Sequence, residues 1–172
     1  NDRPEILERL LFHPHMLPGF NDSGAHLINL AFFDGNLLTL QVAQRHSLER
    51  VAHAGKRLTR EPAEFFAVDA GRLEPGAQAD LVLVNPEALR NYDTDASRRM
   101  VYREIFEHEQ LVNRSDGVVT GVFIAGEQVW DGRGFTAALG TQRLGRPLTA
   151  GPAAAAAAAA ADRGALAGVP GV

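Results

Sequence analysis

The chain has 172 residues, 45% of them apolar, no cysteine and a formal net charge of −4. That composition permits a folded core and excludes disulfides and thiolate metal sites. It also speaks against nucleic acid, whose binders carry a basic stripe, and no apolar run reaches the roughly 18 residues of a membrane span. A cytoplasmic location is therefore expected. Asn1 opens the chain without a Met and charged residues follow, so no signal peptide is expected and the chain reads as a piece of a longer protein.

The first predicted element is a helix. Asp2 is placed to cap it, Glu5 sits three residues on as in a capping box, and Pro4 suits the first turn. Ile6, Leu7, Leu10 and Leu11 recur at helical spacing, and Pro14 and Pro18-Gly19 close the element. A short strand is expected to run into Phe20 and Asn21. Residues 31–45 read as helical, with Leu37, Leu38, Gln41 and Val42 on one face, although Gly35 weakens the early part. Ser47 caps a further helix to about Leu58, without a capping-box partner because Arg50 stands three residues on. A shorter helix over Arg60 to Val68 follows, with Pro62 in its first turn and Phe65 and Phe66 as its apolar payload.

After Gly71 the pattern turns strand-like. Leu73-Glu74-Pro75-Gly76 is a turn, and Ala79 to Asn85 reads as a buried strand stopped by Pro86. Residues 87–116 are polar and expected to be irregular, apart from a helix over Ala96 to Phe106 whose charges from Arg98 to Glu104 form a solvated face. Val118 to Trp130 reads as a hairpin turning at Gly126-Glu127, and Asp131 to Gly134 as another turn. The Ala-, Gly- and Pro-rich residues 150–172 are expected to be a disordered tail.

The chemistry concentrates at residues 20–26, Phe-Asn-Asp-Ser-Gly-Ala-His. A carboxylate that ends a strand ahead of a tight glycine turn is how a parallel α/β enzyme presents a catalytic group at its open face, where it can take a proton from an attacking water. Asp-Ser-Gly is equally an ordinary turn, the commoner outcome for these residue types, because Asp and Ser bond their own backbone and Gly tolerates positive φ. His13-Pro14-His15 has the form of a zinc half-site, yet it lies in a proline-rich loop and four ligands must converge without cysteine. His46, His53 and His108 show no ligand spacing, with His53 expected half-buried or at the surface. Glu61 and Glu64 beside Phe65-Phe66 read as a charged face over an apolar one. No glycine cluster cradles a phosphate, and there is no Gly-x-Ser-x-Gly elbow.

Four segments together resemble the C-terminal third of an amidohydrolase-superfamily enzyme, most closely the N-acyl-D-amino-acid deacylase (D-aminoacylase) branch. Gly19 to His26 is similar to the end of the last barrel strand, and Ser47 to Phe66 to the last barrel helices. Gly71 to Val84, with its Pro-Gly-x-x-Ala-Asp-Leu-Val core, resembles the return into the small β-sandwich, and Val122 to Gly132 its closing hairpin. The resemblance covers about residues 1–149.

It implies an α/β fold: the C-terminal part of a distorted (β/α)8 barrel, then strands of a small composite β-sandwich. Residues 1–68 would be the last strand and helices of the barrel, 69–149 the sandwich portion with an irregular insert at about 87–116, and 150–172 the tail. It implies a zinc-activated water that attacks the amide of a small-molecule N-acyl-D-amino acid. Asp22 matches the carboxylate that takes the proton and passes it to the leaving amine, with a second role as a weak or second-site metal ligand. Ser23, Gly24 and His26 would border the substrate. The main zinc ligands of such enzymes belong upstream of Asn1, and His13 and His15 do not replace them, so this chain alone is expected to be inactive. Two rival readings remain: a hydantoinase-like or dihydroorotase-like hydrolase of cyclic amides, and a non-catalytic α+β module.

Overall fold

The computed structural model describes residues 3–18, 29–30 and 34–151. The described residues form a mixed α/β arrangement of short helices and two three-stranded sheets. The expected tail beyond Gly151 lies outside them, as do Asp2 and residues 19–28.

Helix α1 spans Pro4–Leu11 and begins from Arg3, with no side-chain cap, rather than from Asp2. No residue of α1 is buried, so its apolar stripe is only partly covered. Helix α2 spans Gly35–Gln44 and α3 spans Leu48–Leu58. As the sequence predicted, the Ser47 side chain accepts the Arg50 N–H at 3.1 Å, satisfying one of the first-turn donors that no helical carbonyl reaches. The two helices pack together, and each buries an alanine fully, Ala43 and Ala54. Helix α4 stops early, at Arg60–Phe65, because Ala67 turns to φ +51°. The expected payload is not buried: Phe65 and Phe66 are 71% and 62% exposed and stack edge-on against each other at 5.0 Å. Ala63 is the residue α4 buries.

Strand β2 is Leu81–Val84 and pairs antiparallel with β5, Val119–Ile124, which pairs in turn with β6, Glu127–Trp130. The hairpin is as expected, but its turn is Ala125-Gly126 and not Gly126-Glu127. Both turn residues have positive φ, +52° and +85°, which matches the twist of a tight hairpin. Strand β2 is not a buried strand: Val82 and Leu83 are 58% and 50% exposed.

The largest departure lies in residues 87–116. Helix α5, Pro86–Arg90, capped by the Asn85 side chain, opens the stretch. Residues 98–103 are then strand β3, Arg98–Arg103, and not the predicted helix. They pair residue for residue with β4, His108–Asn113, across a short 3₁₀ turn at Glu104–Phe106 and Glu107 at φ +49°. Val101 and Tyr102 favour a pleated surface once a partner strand exists, and the partner overrides a charge pattern that reads equally well as a helix face. Strand β4 also takes β1, Asn29–Leu30, as a parallel neighbour.

The core joins the helical and sheet parts. Leu89, Tyr92 and Val118 are buried together, with Leu37, Leu38 and Leu40 of α2 packed against them. Gln41 of α2 donates from Nε2 to the carbonyls of Leu89 and Tyr92 at 2.9 and 2.7 Å, tying α2 to the chain where α5 ends.

Candidate functional site

The residues singled out for catalysis and substrate contact, Asp22, Ser23, Gly24 and His26, lie outside the described residues. What the structure describes is the chain on either side of them and the contacts that hold it.

On the upstream side, Arg57 of α3 carries the organisation. Its side chain is 3% exposed. Nε donates to the Leu11 carbonyl at 2.7 Å, Nη2 donates to the carbonyls of His13 and Met16 (the latter bond short), and Nη1 meets Glu61 Oε2 at 3.1 Å. A buried guanidinium is expensive unless its donors are met, and here four bonds meet four of its five N–H groups. Around this knot Phe12 lies under the Arg50 guanidinium at 4.5 Å and 5.4 Å from the His53 ring, which is half-buried as expected. His46 Nε2 approaches Glu8 Oε1 at 3.1 Å.

On the downstream side, Asp34 is buried just before α2. Its Oδ2 accepts the Tyr92 hydroxyl at 3.0 Å and the Thr94 hydroxyl at 2.8 Å. Burial, then the bond to Asp34, pushes the Tyr92 phenol up to about 12. Neither Arg57 nor Asp34 stood out in the sequence. Each acts through partners 41–60 residues away, and no local spacing signals that.

Among the described residues, no third ligand joins the His13-x-His15 pair. The His15 backbone N–H donates to His13 Nδ1 at 3.2 Å, and the two rings stand edge-on with centroids 5.7 Å apart. Among the described residues no group of three His, Cys, Asp or Glu side chains is arranged to hold an ion. The described residues therefore do not fit the implied zinc. Among them, too, no helix is long and apolar enough to cross a membrane.

The Pro-Gly-x-x-Ala-Asp element has a structural explanation. Gly76 takes φ +89° in the turn. Asp80 accepts the Ala125 N–H at 2.8 Å and two bonds from Gln78, and the first of these chiefly holds its carboxyl below the usual range. Asp80 thus pins the β5–β6 turn to the start of β2. A cavity of about 650 Å³ opens beside this element, walled by Leu37, Leu40, Leu58 and Leu81. On its rim Arg72 and Arg146 both pair with Asp69, so their charges are already met.

The model of a known family matches residues 20–129, a stretch that takes in the 20–26 motif, helices α2 to α4, the Asp80 element and most of the hairpin. The chain belongs to the amidohydrolase family. The match runs from Phe20, ahead of Asp22, through both sheets to Val129 in β6. Relatives of this amidohydrolase chain include an uncharacterized protein of Mycobacterium bovis and uncharacterized proteins of two strains of Mycobacterium tuberculosis. Each is 33% identical over 147 residues, covering 78% of this chain and 23% of the relative. The chain thus spans about a quarter of the length of those relatives. No solved structure gave a significant match.

Proposed function

We propose that the chain is the C-terminal portion of a zinc-dependent hydrolase that cleaves the amide C–N bond of small-molecule N-acyl-D-amino acids, with Asp22 as its proton shuttle. In this reading residues 1–68 complete a (β/α)8 barrel and residues 69–149 belong to a composite β-sandwich. The observation that carries the reading is the family match, which takes in the Asp22 motif and the Asp80 element in one stretch, residues 20–129. Asp22 accepts a proton from water as the water oxygen attacks the amide carbon, then delivers it to the nitrogen as the C–N bond breaks. Ser23, Gly24 and His26 border the substrate.

The test is turnover by the complete protein with Asp22→Asn. The reading expects most activity to vanish with the fold intact; near-normal turnover would sink it. Comparing N-acyl-D-amino acids with cyclic ureides as substrates tests the substrate class, and preference for the ureides would replace it with a ring-opening hydrolase.

A further inference from the structure

The cavity beside the Asp80 element has both its arginines paired with Asp69. A second cavity, of about 320 Å³, is walled by Val119 and Val122 of β5, Trp130 of β6, and Phe135 and Leu139 of the chain that follows. Its walls are held in place. The Trp130 indole N–H donates to the Val119 carbonyl at 3.2 Å, which ties down the polar end of the ring. The Phe135 ring stands edge-on to it at 5.2 Å, a favourable aromatic geometry. Asp131 Oδ1 accepts the Arg133 and Gly134 N–H groups, and the Thr136 N–H donates to the Val129 carbonyl at 3.0 Å. The backbone is thus pinned on both sides of Phe135. Even so, Phe135 is 74% exposed and Leu139 42% exposed. A pinned loop that holds an aromatic ring open to water at a cavity is preformed apolar surface, the usual wall of a small-ligand site.

The polar side of this cavity carries one unmatched charge. Arg114 and Asp116 both line it, and Asp116 is paired with Arg99 at 3.4 Å. The Arg114 main-chain N–H donates to the Ser97 carbonyl at 2.9 Å, but among the described residues its guanidinium meets no acceptor. A guanidinium fork matches a carboxylate through two parallel bonds. The Asp116 carboxylate on the same cavity disfavours a second negative charge on the ligand. A volume of about 320 Å³ is at the small end of ligand sites, which holds the ligand to one ring beside its acid group.

The geometry points to a binding site for a small aromatic monocarboxylate, its ring against Phe135 and the β5 valines and its carboxylate on Arg114. The inference does not rest on the hydrolase reading, because its readout is binding and not turnover.

The experiment is isothermal titration calorimetry of the complete protein with phenylacetate. Two controls divide the ligand: 2-phenylethanol keeps the ring without the charge, and acetate keeps the charge without the ring. The variants are Arg114→Ala and Phe135→Ala, both at exposed side chains, with the melting temperature as fold control. Phenylacetate is expected to bind at one saturable site, more tightly than either control. Arg114→Ala weakens it roughly 10-fold, the scale of a hydrogen bond to a charged group, and leaves 2-phenylethanol unchanged. Phe135→Ala weakens phenylacetate and 2-phenylethanol alike, by about 3- to 10-fold, the scale of one aromatic contact. Arg114→Gln and Leu139→Ala replace either variant that does not fold. Absence of saturable phenylacetate binding at millimolar concentration overturns the inference. So does binding that either folded variant leaves unchanged. An unaffected Arg114→Ala protein means that the ligand sits elsewhere, and an unaffected Phe135→Ala protein means a surface ion contact without the cavity. Loss of amide hydrolysis in Asp22→Asn, or its survival, bears on the proposed function alone.

Discussion

The Tyr92 hydroxyl donates to Asp34 Oδ2 at 3.0 Å, joining two residues 58 positions apart in the core beneath α2. Tyr92→Phe removes one of the two hydroxyl donors to a buried carboxylate and leaves Thr94 as the other. The expected loss is about 1.5 kcal/mol in denaturant unfolding, the scale of a hydrogen bond to a charged group. Thr94→Ala should lose less, because it sits nearer the surface.

Burial of Tyr92, together with the same bond, predicts an alkaline limit. The phenol of Tyr92 is raised from 10.0 to about 12 in the folded chain, so between these values the folded state holds a proton that the unfolded state releases. Its contribution is complete below the unfolded value and is lost as pH rises through the folded one. Unfolding free energy measured against pH should therefore decline across that window, and Tyr92→Phe should remove this part of the decline.

Two glycines of the Asp80 element separate strain from collision. Gly71 and Gly76 both hold positive φ, +72° and +89°, but a Cβ at Gly71 would lie 2.5 Å from the Thr59 carbonyl oxygen, while at Gly76 it meets nothing within 4 Å. Gly76→Ala should cost about 1–2 kcal/mol, the backbone penalty alone. Gly71→Ala should cost clearly more, since a main-chain atom must move. Equal melting points for the two variants would contradict this account of the loop.

Asp80 makes acid sensitivity a local property of the sheet formed by β2, β5 and β6. Its carboxyl is lowered chiefly by the Ala125 N–H and then by Gln78, so its contribution is present above the unfolded value of 3.8 and lost as pH falls through the folded one. Asp80→Ala should cost about 0.5–1 kcal/mol near neutrality, as for a single exposed bond. It should also flatten the stability profile below the unfolded value. Amide exchange at Ala125 is the direct check.

Local signals in the sequence were read correctly where they decide the structure. Ser47 caps α3, Asp131 accepts the N–H groups of Arg133 and Gly134 in its turn, and the Val119 to Trp130 hairpin forms. Reading failed where a partner outside the segment decides. Residues 98–103 become a strand because β4 lies beside them, and Phe65 and Phe66 stay exposed because nothing described covers them. Arg57 and Asp34 were invisible for the same reason, since their partners are remote in sequence. The family was legible through segments spread along the chain rather than through one local motif, and the family model matches residues 20–129.

The central claim is that Asp22 carries the proton in amide hydrolysis. It is tested most directly by kcat of the complete protein and its Asp22→Asn variant on N-acetyl-D-leucine, with circular dichroism as the fold control. The account predicts a roughly 10²- to 10⁴-fold loss, the usual worth of a general acid–base group, with an unchanged spectrum. Turnover within a few-fold of the unmodified protein would contradict it.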